Sequence, residues 1–289
     1  MLNDVIEVAD WTANPTSAQR ARARDALEGG KIVLFPELPF AMSEEEKTFL
    51  DPSVVKNAEK SAKGRPRIIY FPDKQKMLFS RLKGERNAAL NRMVVRYADW
   101  ARDFMLDHFP DYERGIEWGP TSFRPCSRAK PQRVHLDAFY QLPTQGRRLL
   151  RVFTNLNPDG QPRAWDISET FEPYAKRHVH KLKRDIPGRG RLLSWLHVTR
   201  GRQTAYDHAM LQLRAFAKDD RDYKEMRRPE TFPFPAGATW MCYTDAVLHG
   251  GHSGQHAFEQ TFLLDPDAMY MPERSPLRLL ENWTGRRLV

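Results

Sequence analysis

The sequence predicts an α+β fold in which helices buttress an antiparallel β-core. Three observations lead there. Apolar residues recur at helical spacing in the N-terminal third, short β-rich segments divided by Pro, Gly and Asn-Pro fill the middle, and strands resume after a helical stretch before one last helix. The 289 residues suffice to bury a substantial core, so residues 1–289 read as a single domain with an N-terminal helical scaffold and a helical insertion around 169–230. Apolar residues make up 40% and charged residues 29%, and no apolar run approaches the length of a membrane span, which excludes a disordered chain and a transmembrane helix.

Each element has a local reason. Pro15 and Thr16 open a helix over 18–27 that Gly29-Gly30 stops, and 31–35 is a short apolar strand closed by Pro36. From 76 to 108, Leu90, Val94, Val95, Ala98, Trp100 and Phe104 keep helical spacing and predict one long helix. Residues 121–124, 133–140, 149–156 and 163–167 are rich in β-branched, aromatic and apolar side chains and predict strands. Helices follow over 189–195 and 204–217, the second carrying Tyr206, Met210, Leu213 and Phe216. A turn at 233–237 leads into a strand over 239–244, and 257–264 is a strand covered on both faces. Pro276 opens the last helix, 275–283.

The net charge is +9 and the cations are mostly arginine, 32 against 14 lysines. Guanidinium groups grip carboxylates and phosphates bidentately, so the surplus points to an anionic partner, with codon bias as the plain alternative. The start, Met1-Leu2-Asn3-Asp4, carries an acid and lacks the basic flank of a secretory signal, which predicts a cytoplasmic protein. Cys126 and Cys242 lie far apart without zinc-ligand spacing, so any metal must use other ligands.

His135-Leu136-Asp137 is the strongest local signal. In an extended chain His135 and Asp137 project to the same side and both reach one metal, while Leu136 packs the other way. A remote histidine-bearing segment, Asp245-Ala246-Val247-Leu248-His249-Gly250-Gly251-His252, supplies a third ligand, and we choose His249 because it directly follows Val247-Leu248. His135, Asp137 and His249 would form the 2-His-1-carboxylate facial triad of non-haem Fe(II) oxygenases, which suits a double-stranded β-helix of jelly-roll or cupin-like type. The residues alone leave open a His135–Asp137 ion pair with His249 capping a turn. His178 and His180 sit in a basic stretch and read as exposed, His108 and His208 as surface or interhelix residues, and Met269 and Met271 as core filler. No dinucleotide fingerprint, Walker loop or nucleophile elbow appears.

At these residues the chain resembles the Fe(II)/2-oxoglutarate oxygenases, and more closely the Kdo hydroxylase family of Gram-negative bacteria. The likeness is carried by Glu28-Gly29-Gly30-Lys31, Pro120-Thr121-Ser122-Phe123-Arg124, His135-Leu136-Asp137-Ala138-Phe139, Leu150-Arg151-Val152-Phe153-Thr154-Asn155, Leu196-His197-Val198-Thr199, Tyr206-Asp207-His208, Glu259-Gln260-Thr261-Phe262 and Pro272-Glu273-Arg274-Ser275-Pro276. It implies that Fe(II) sits on the triad and that 2-oxoglutarate and O2 are co-substrates. It further implies hydroxylation at C3 of 3-deoxy-D-manno-oct-2-ulosonic acid (Kdo) in Kdo-lipid A, giving Ko, by an enzyme peripheral to the cytoplasmic face of the inner membrane, with no nucleic-acid partner. Many members of the wider superfamily carry an Arg or Lys about ten residues after the distal histidine to hold the far carboxylate of 2-oxoglutarate, but here that position is Glu259. Arg151 is the first substitute, Arg124 the second and Arg163 the third. The terminal region with Arg274, Arg278, Trp283, Arg286 and Arg287 is a candidate membrane contact, with ordinary helix packing as its alternative. A hydroxylase of proteins or small molecules, and a metal-free polyanion-binding protein, are the competing readings.

Overall fold

The computed structural model describes residues 2–9, 15–58, 66–127, 130–219 and 228–289. Its strands among these are β1 (Ile6–Val8), β2 (Ile32–Phe35), β3 (Ile68–Phe71), β4 (Lys76–Leu78), β5 (Ile116–Arg124), β6 (Arg148–Asn155), β7 (Arg163–Thr170), β8 (Glu230–Phe234), β9 (Thr239–Tyr243), β10 (Val247–Gly251) and β11 (Ala257–Leu264). The helices are α1 (Leu2–Val5), α2 (Ser17–Glu28), α3 (Glu44–Lys47), α4 (Gly84–His108), α5 (Phe171–His178), α6 (Arg189–Trp195), α7 (Ala205–Asp219) and α8 (Pro276–Thr284). An eight-stranded sheet runs β1-β2-β9-β6-β11-β5-β3-β4, and a three-stranded sheet runs β10-β7-β8. Every pairing is antiparallel except that of β1 with β2. The fold is α+β, with a jelly-roll core of the double-stranded β-helix kind.

Strand alternation divides the core in two. On one face of the large sheet Leu150, Val152, Met241, Phe258 and Phe262 join the core that includes α4. There Tyr97 stacks on Phe258 at 4.1 Å, and its hydroxyl donates to the carbonyl of Val152 at 3.3 Å. The other face turns Phe153, Trp240 and Cys242 toward Trp165, Ile167, Phe234 and Val247 of the small sheet. The space between the two sheets is therefore apolar at its centre, and polar groups entering it must bring partners.

Several sequence expectations meet a different structure. Only 84–108 of the long segment is helical: Lys76–Leu78 pairs with β3, and Phe79 takes a left-handed backbone (φ 69°) that no α-helix passes through. The segment 133–140 is no full strand, touching the sheet through one isolated bridge between His135 and His249. The histidine-bearing stretch, which no predicted strand covered, contains a strand of its own, β10. His178 is buried, its Nδ1 against the carbonyl of Tyr174 at 2.8 Å, whereas His180 is exposed as expected. The capped helix fares as read, since Thr16 and Gln19 form a capping box. The insertion supplies α5, α6 and α7 between β7 and β8; its residues 220–227 lie outside the described residues.

One buried ion pair fastens β6 to the turn before β10. Arg148 Nε donates to Asp245 at 2.9 Å with both side chains buried, and the guanidinium lies 3.7 Å from the centre of the Tyr243 ring. Breaking such a pair strands a charge, which costs about 3–5 kcal/mol. Arg148→Met is expected to lower urea stability by that order, and the double variant with Asp245→Asn to recover part of it.

Candidate metal and co-substrate site

Two backbone segments bring the three candidate ligands together. His135 N–H donates to the carbonyl of His249 at 3.0 Å and receives the reciprocal bond at 3.1 Å. Gln132 N–H to Gly251 (2.8 Å) and Asp137 N–H to Thr244 (2.8 Å) extend the attachment on either side. Gly250 permits the approach, because a Cβ there would stand 2.3 Å from the carbonyl oxygen of Gln132. The β10–β7 register shifts between Val247 and His249, a bulge of the sort that re-aims a side chain beside an active site.

His135, Asp137 and His249 are all buried and offer donor atoms that lie within 4.8 Å of one another. Leu136 faces the opposite core, as the alternation requires. The Nδ1 of His135 is 2.9 Å from the carbonyl of Arg133, and that of His249 is 3.0 Å from the carbonyl of Val247. A carbonyl only accepts, so each imidazole carries its proton on Nδ1 and presents the Nε2 lone pair inward. Trp165 stacks on His249 with centroids 5.0 Å apart. Burial, above all, drops His249 to a pKa of about 4, which keeps it neutral and fit to ligate. Burial alone would raise Asp137, but Arg151 and the two imidazoles hold its carboxyl well below the usual range. Two imidazole nitrogens, one carboxylate and no thiolate in the cluster form a donor set that fits Fe(II).

The two leading arginine candidates meet on one acid. Arg124 on β5, Glu259 on β11 and Arg151 on β6 project from the same face of the large sheet, diagonal to one another in register. Arg124 contacts Glu259 at 2.7 Å, while Arg151 Nη1 contacts Glu259 at 3.0 Å and Asp137 at 3.2 Å. The Nε–H groups of Arg124 and Arg151 are both buried without an acceptor. An orphaned buried donor costs about 1–3 kcal/mol, so two of them on arginines that share Glu259 suit an incoming carboxylate such as the far end of 2-oxoglutarate. Arg163, the third candidate, lies buried on β7 of the facing small sheet, opposite Phe234 and on the same strand face as Trp165.

Glu259 opposes its own burial through these arginines. Burial would raise its pKa, but Arg124, Arg151 and Arg67 outweigh it and bring the value from 4.5 down to about 2. A depressed carboxylate pKa stabilises the fold above the unfolded value and ceases to do so as pH falls through the folded one. The stability difference between wild type and Glu259→Gln is expected to be full above about pH 5 and to shrink by roughly 3 kcal/mol toward pH 2, as read by urea melts across that window.

Three side chains at the site escaped the sequence reading. Arg214 of α7 donates to the carbonyl of Leu136 at 2.9 Å and lies 3.4 Å from Asp137, so the insertion helps to seat the H-x-D segment. Gln132 Nε2 stands 2.9 Å from His135 Nε2, and Trp165 forms the wall behind His249. Glu259 entered only as a departure from a pattern; its signal was an acid on a strand covered on both faces, a position that demands a cation.

The family model described as 3-deoxy-D-manno-oct-2-ulosonic acid (Kdo) hydroxylase matches residues 10–287. Among solved structures, the Kdo hydroxylase KdoO, a non-haem Fe(II) alpha-ketoglutarate dependent dioxygenase in complex with alpha-ketoglutarate and Fe(III), is 37% identical with a TM-score of 0.89, over 99% of this chain and 97% of that one. Its apo structure gives the same identity, coverage and score. The complex of KdoO with succinate and Fe(III) gives 36% identity and 0.88 over 98% and 97%. No curated protein matches significantly.

Proposed function

The chain belongs to the Kdo hydroxylase family and is an Fe(II)- and 2-oxoglutarate-dependent dioxygenase that uses O2; from that premise we propose that it hydroxylates C3 of Kdo within Kdo-lipid A, giving Ko. When bound, Fe(II) with 2-oxoglutarate and O2 supplies an oxidant that turns a C–H bond into C–OH and releases succinate and CO2.

The chain's own residues arrange the rest. In this reading His135, Asp137 and His249 hold the iron, and the observation that carries it is the buried donor set with both Nε2 atoms turned inward. The backbone carbonyls of Arg133 and Val247 fix the two tautomers. Arg151 grips the far carboxylate of 2-oxoglutarate, with Arg124 beside it, through the unpartnered Nε–H groups. Glu259 balances the two guanidiniums, and Arg214 steadies the segment that carries Asp137. The apolar wall of Trp165, Phe153 and Trp240 keeps water from the reacting centre.

The arginine surplus suits a substrate bearing a sugar carboxylate and lipid phosphates. No helix among the described residues is long and apolar enough to cross a membrane, and the reading places the enzyme in the cytoplasm against the inner-membrane face, where it meets its lipid-linked substrate. The test incubates the protein with Fe(II), 2-oxoglutarate and either Kdo-lipid A, free Kdo or a basic protein. Succinate release with gain of one oxygen on the sugar is expected with Kdo-lipid A, and free Kdo is expected to be poor, because it lacks the remote groups whose binding positions C3. Oxygen transfer to the protein and none to Kdo-lipid A would establish the rival hydroxylase.

A further inference from the structure

The helical insertion turns its apolar side outward. In α6 Leu192 and Trp195, with the capping residue Leu196, occupy positions i, i+3 and i+4, one face of a helix, yet they are 54%, 74% and 53% exposed. Ile186 and Val198 flank them, also exposed. The turn carrying Tyr140 and Leu142, both exposed, is tied to this region by Arg200 N–H to the carbonyl of Gln141 (2.9 Å) and Gln203 Nε2 to that of Tyr140 (2.7 Å). Apolar groups gathered like this on a surface mark an interaction site.

Charge identifies the occupant. Between Val179 and Thr204 there are seven Lys or Arg residues and one acid, Asp185, which is engaged by Arg189 at 3.4 Å. Arg184, Arg191, Arg200 and Arg202 are exposed and form no ion pair among the described residues. Beside α6 a cavity of about 410 Å³ is lined by Arg191, Arg202 and Arg287 from three separate segments against one acid, Asp185, together with Ile186 and Leu288. A tryptophan and leucines ringed by unpaired arginines is the composition of a segment that lies in a bilayer interface, its rings and alkyl groups among the acyl chains and its cations among phosphates.

We propose that the face formed by Leu192, Trp195, Leu196 and Val198, with Arg191, Arg200 and Arg202 around it, docks on an anionic phospholipid bilayer. This deepens the reading of a lipid-linked substrate and rests on it for its purpose. Tyr140 follows Asp137 by three residues, at most about 11 Å of chain, so a bilayer at this face borders the candidate iron site. The terminal helix is a poorer dock. Trp283 is half-buried against the core, and Arg278 is held by Asp267 and Glu281 at 2.9 Å each.

Flotation of the full chain with vesicles of phosphatidylglycerol and phosphatidylethanolamine tests the surface, with phosphatidylcholine vesicles for comparison. Wild type is expected to float with the anionic vesicles, less so as salt rises, and weakly with the neutral ones. The double variant Trp195→Ala/Leu196→Ala and the double variant Arg191→Glu/Arg202→Glu are each expected to lose binding by about tenfold or more. Phe79→Ala, which removes an exposed aromatic elsewhere, is expected to float as wild type does. All four substituted side chains of the double variants are exposed, so an unchanged melting temperature checks the fold. Wild-type flotation of either double variant, or equal flotation on neutral and anionic vesicles, would overturn the proposal. The vesicles contain no Kdo, so failure of the substrate reading appears separately, as absent sugar oxidation with flotation intact.

Discussion

Asp137→Ala is expected to abolish succinate formation, by roughly a thousandfold or more, since the proposed assignment makes it one of three ligands, and the charged one, to the metal ion on which the chemistry rests. Iron content after anaerobic loading falls with it. The variant also leaves Arg151 and Arg214 facing an empty position at 3.2 and 3.4 Å from the lost oxygens, so part of the effect could pass through folding. Asp137→Asn separates the two. It keeps the volume and one acceptor oxygen, enough for one of the two arginines, but loses the charge, so far-ultraviolet circular dichroism stays near wild type and the melting temperature falls less than in Asp137→Ala, while turnover and iron retention are lost in both. Full turnover in either variant would remove Asp137 from the ligand set.

Arg151→Ala is expected to raise the KM for 2-oxoglutarate by about 10- to 150-fold at saturating iron, the equivalent of the ~1.5–3 kcal/mol carried by a charge-assisted contact in a partly desolvated site. Because Arg151 also touches Asp137 at 3.2 Å, kcat is expected to fall in the same variant. Arg124→Ala is the contrasting case, since Arg124 reaches Glu259 at 2.7 Å and its effect belongs to KM, with kcat nearly unchanged. An unchanged KM in Arg151→Ala together with a raised one in Arg124→Ala would exchange their roles. Unchanged KM in both would place the anchor elsewhere on the sheet.

What could be read from the chain was what depends on local pattern. Strand 257–264 and helix 189–195 stand at the bounds expected, because period and punctuation define them. The juxtaposition of His135 with Asp137 follows from alternation within three residues, and holds although the segment forms only one bridge. The pairing of Arg124 and Arg151 through Glu259 was hidden, because it is made by lateral order in a sheet whose neighbours β5, β11 and β6 are far apart in the chain. Arg214 was hidden for the same reason, being brought to Leu136 by the docking of a helix. Lys76–Leu78 was misread because its period fits a helix, while the left-handed backbone at Phe79 that ends it leaves no mark in composition.

The single bridge between His135 and His249 also has a kinetic meaning. These residues stand 114 positions apart, and the contact closes a loop through most of the β-core. Contacts of such long range are slow to form, because the entropy of closing the loop is spent before they return anything. The H-x-D segment on its own holds two donors, and the third, His249, joins them only across this bridge. If these three side chains hold the iron as proposed, a chain that has not closed this long-range contact carries an incomplete ligand set, and the site is completed only with the native topology.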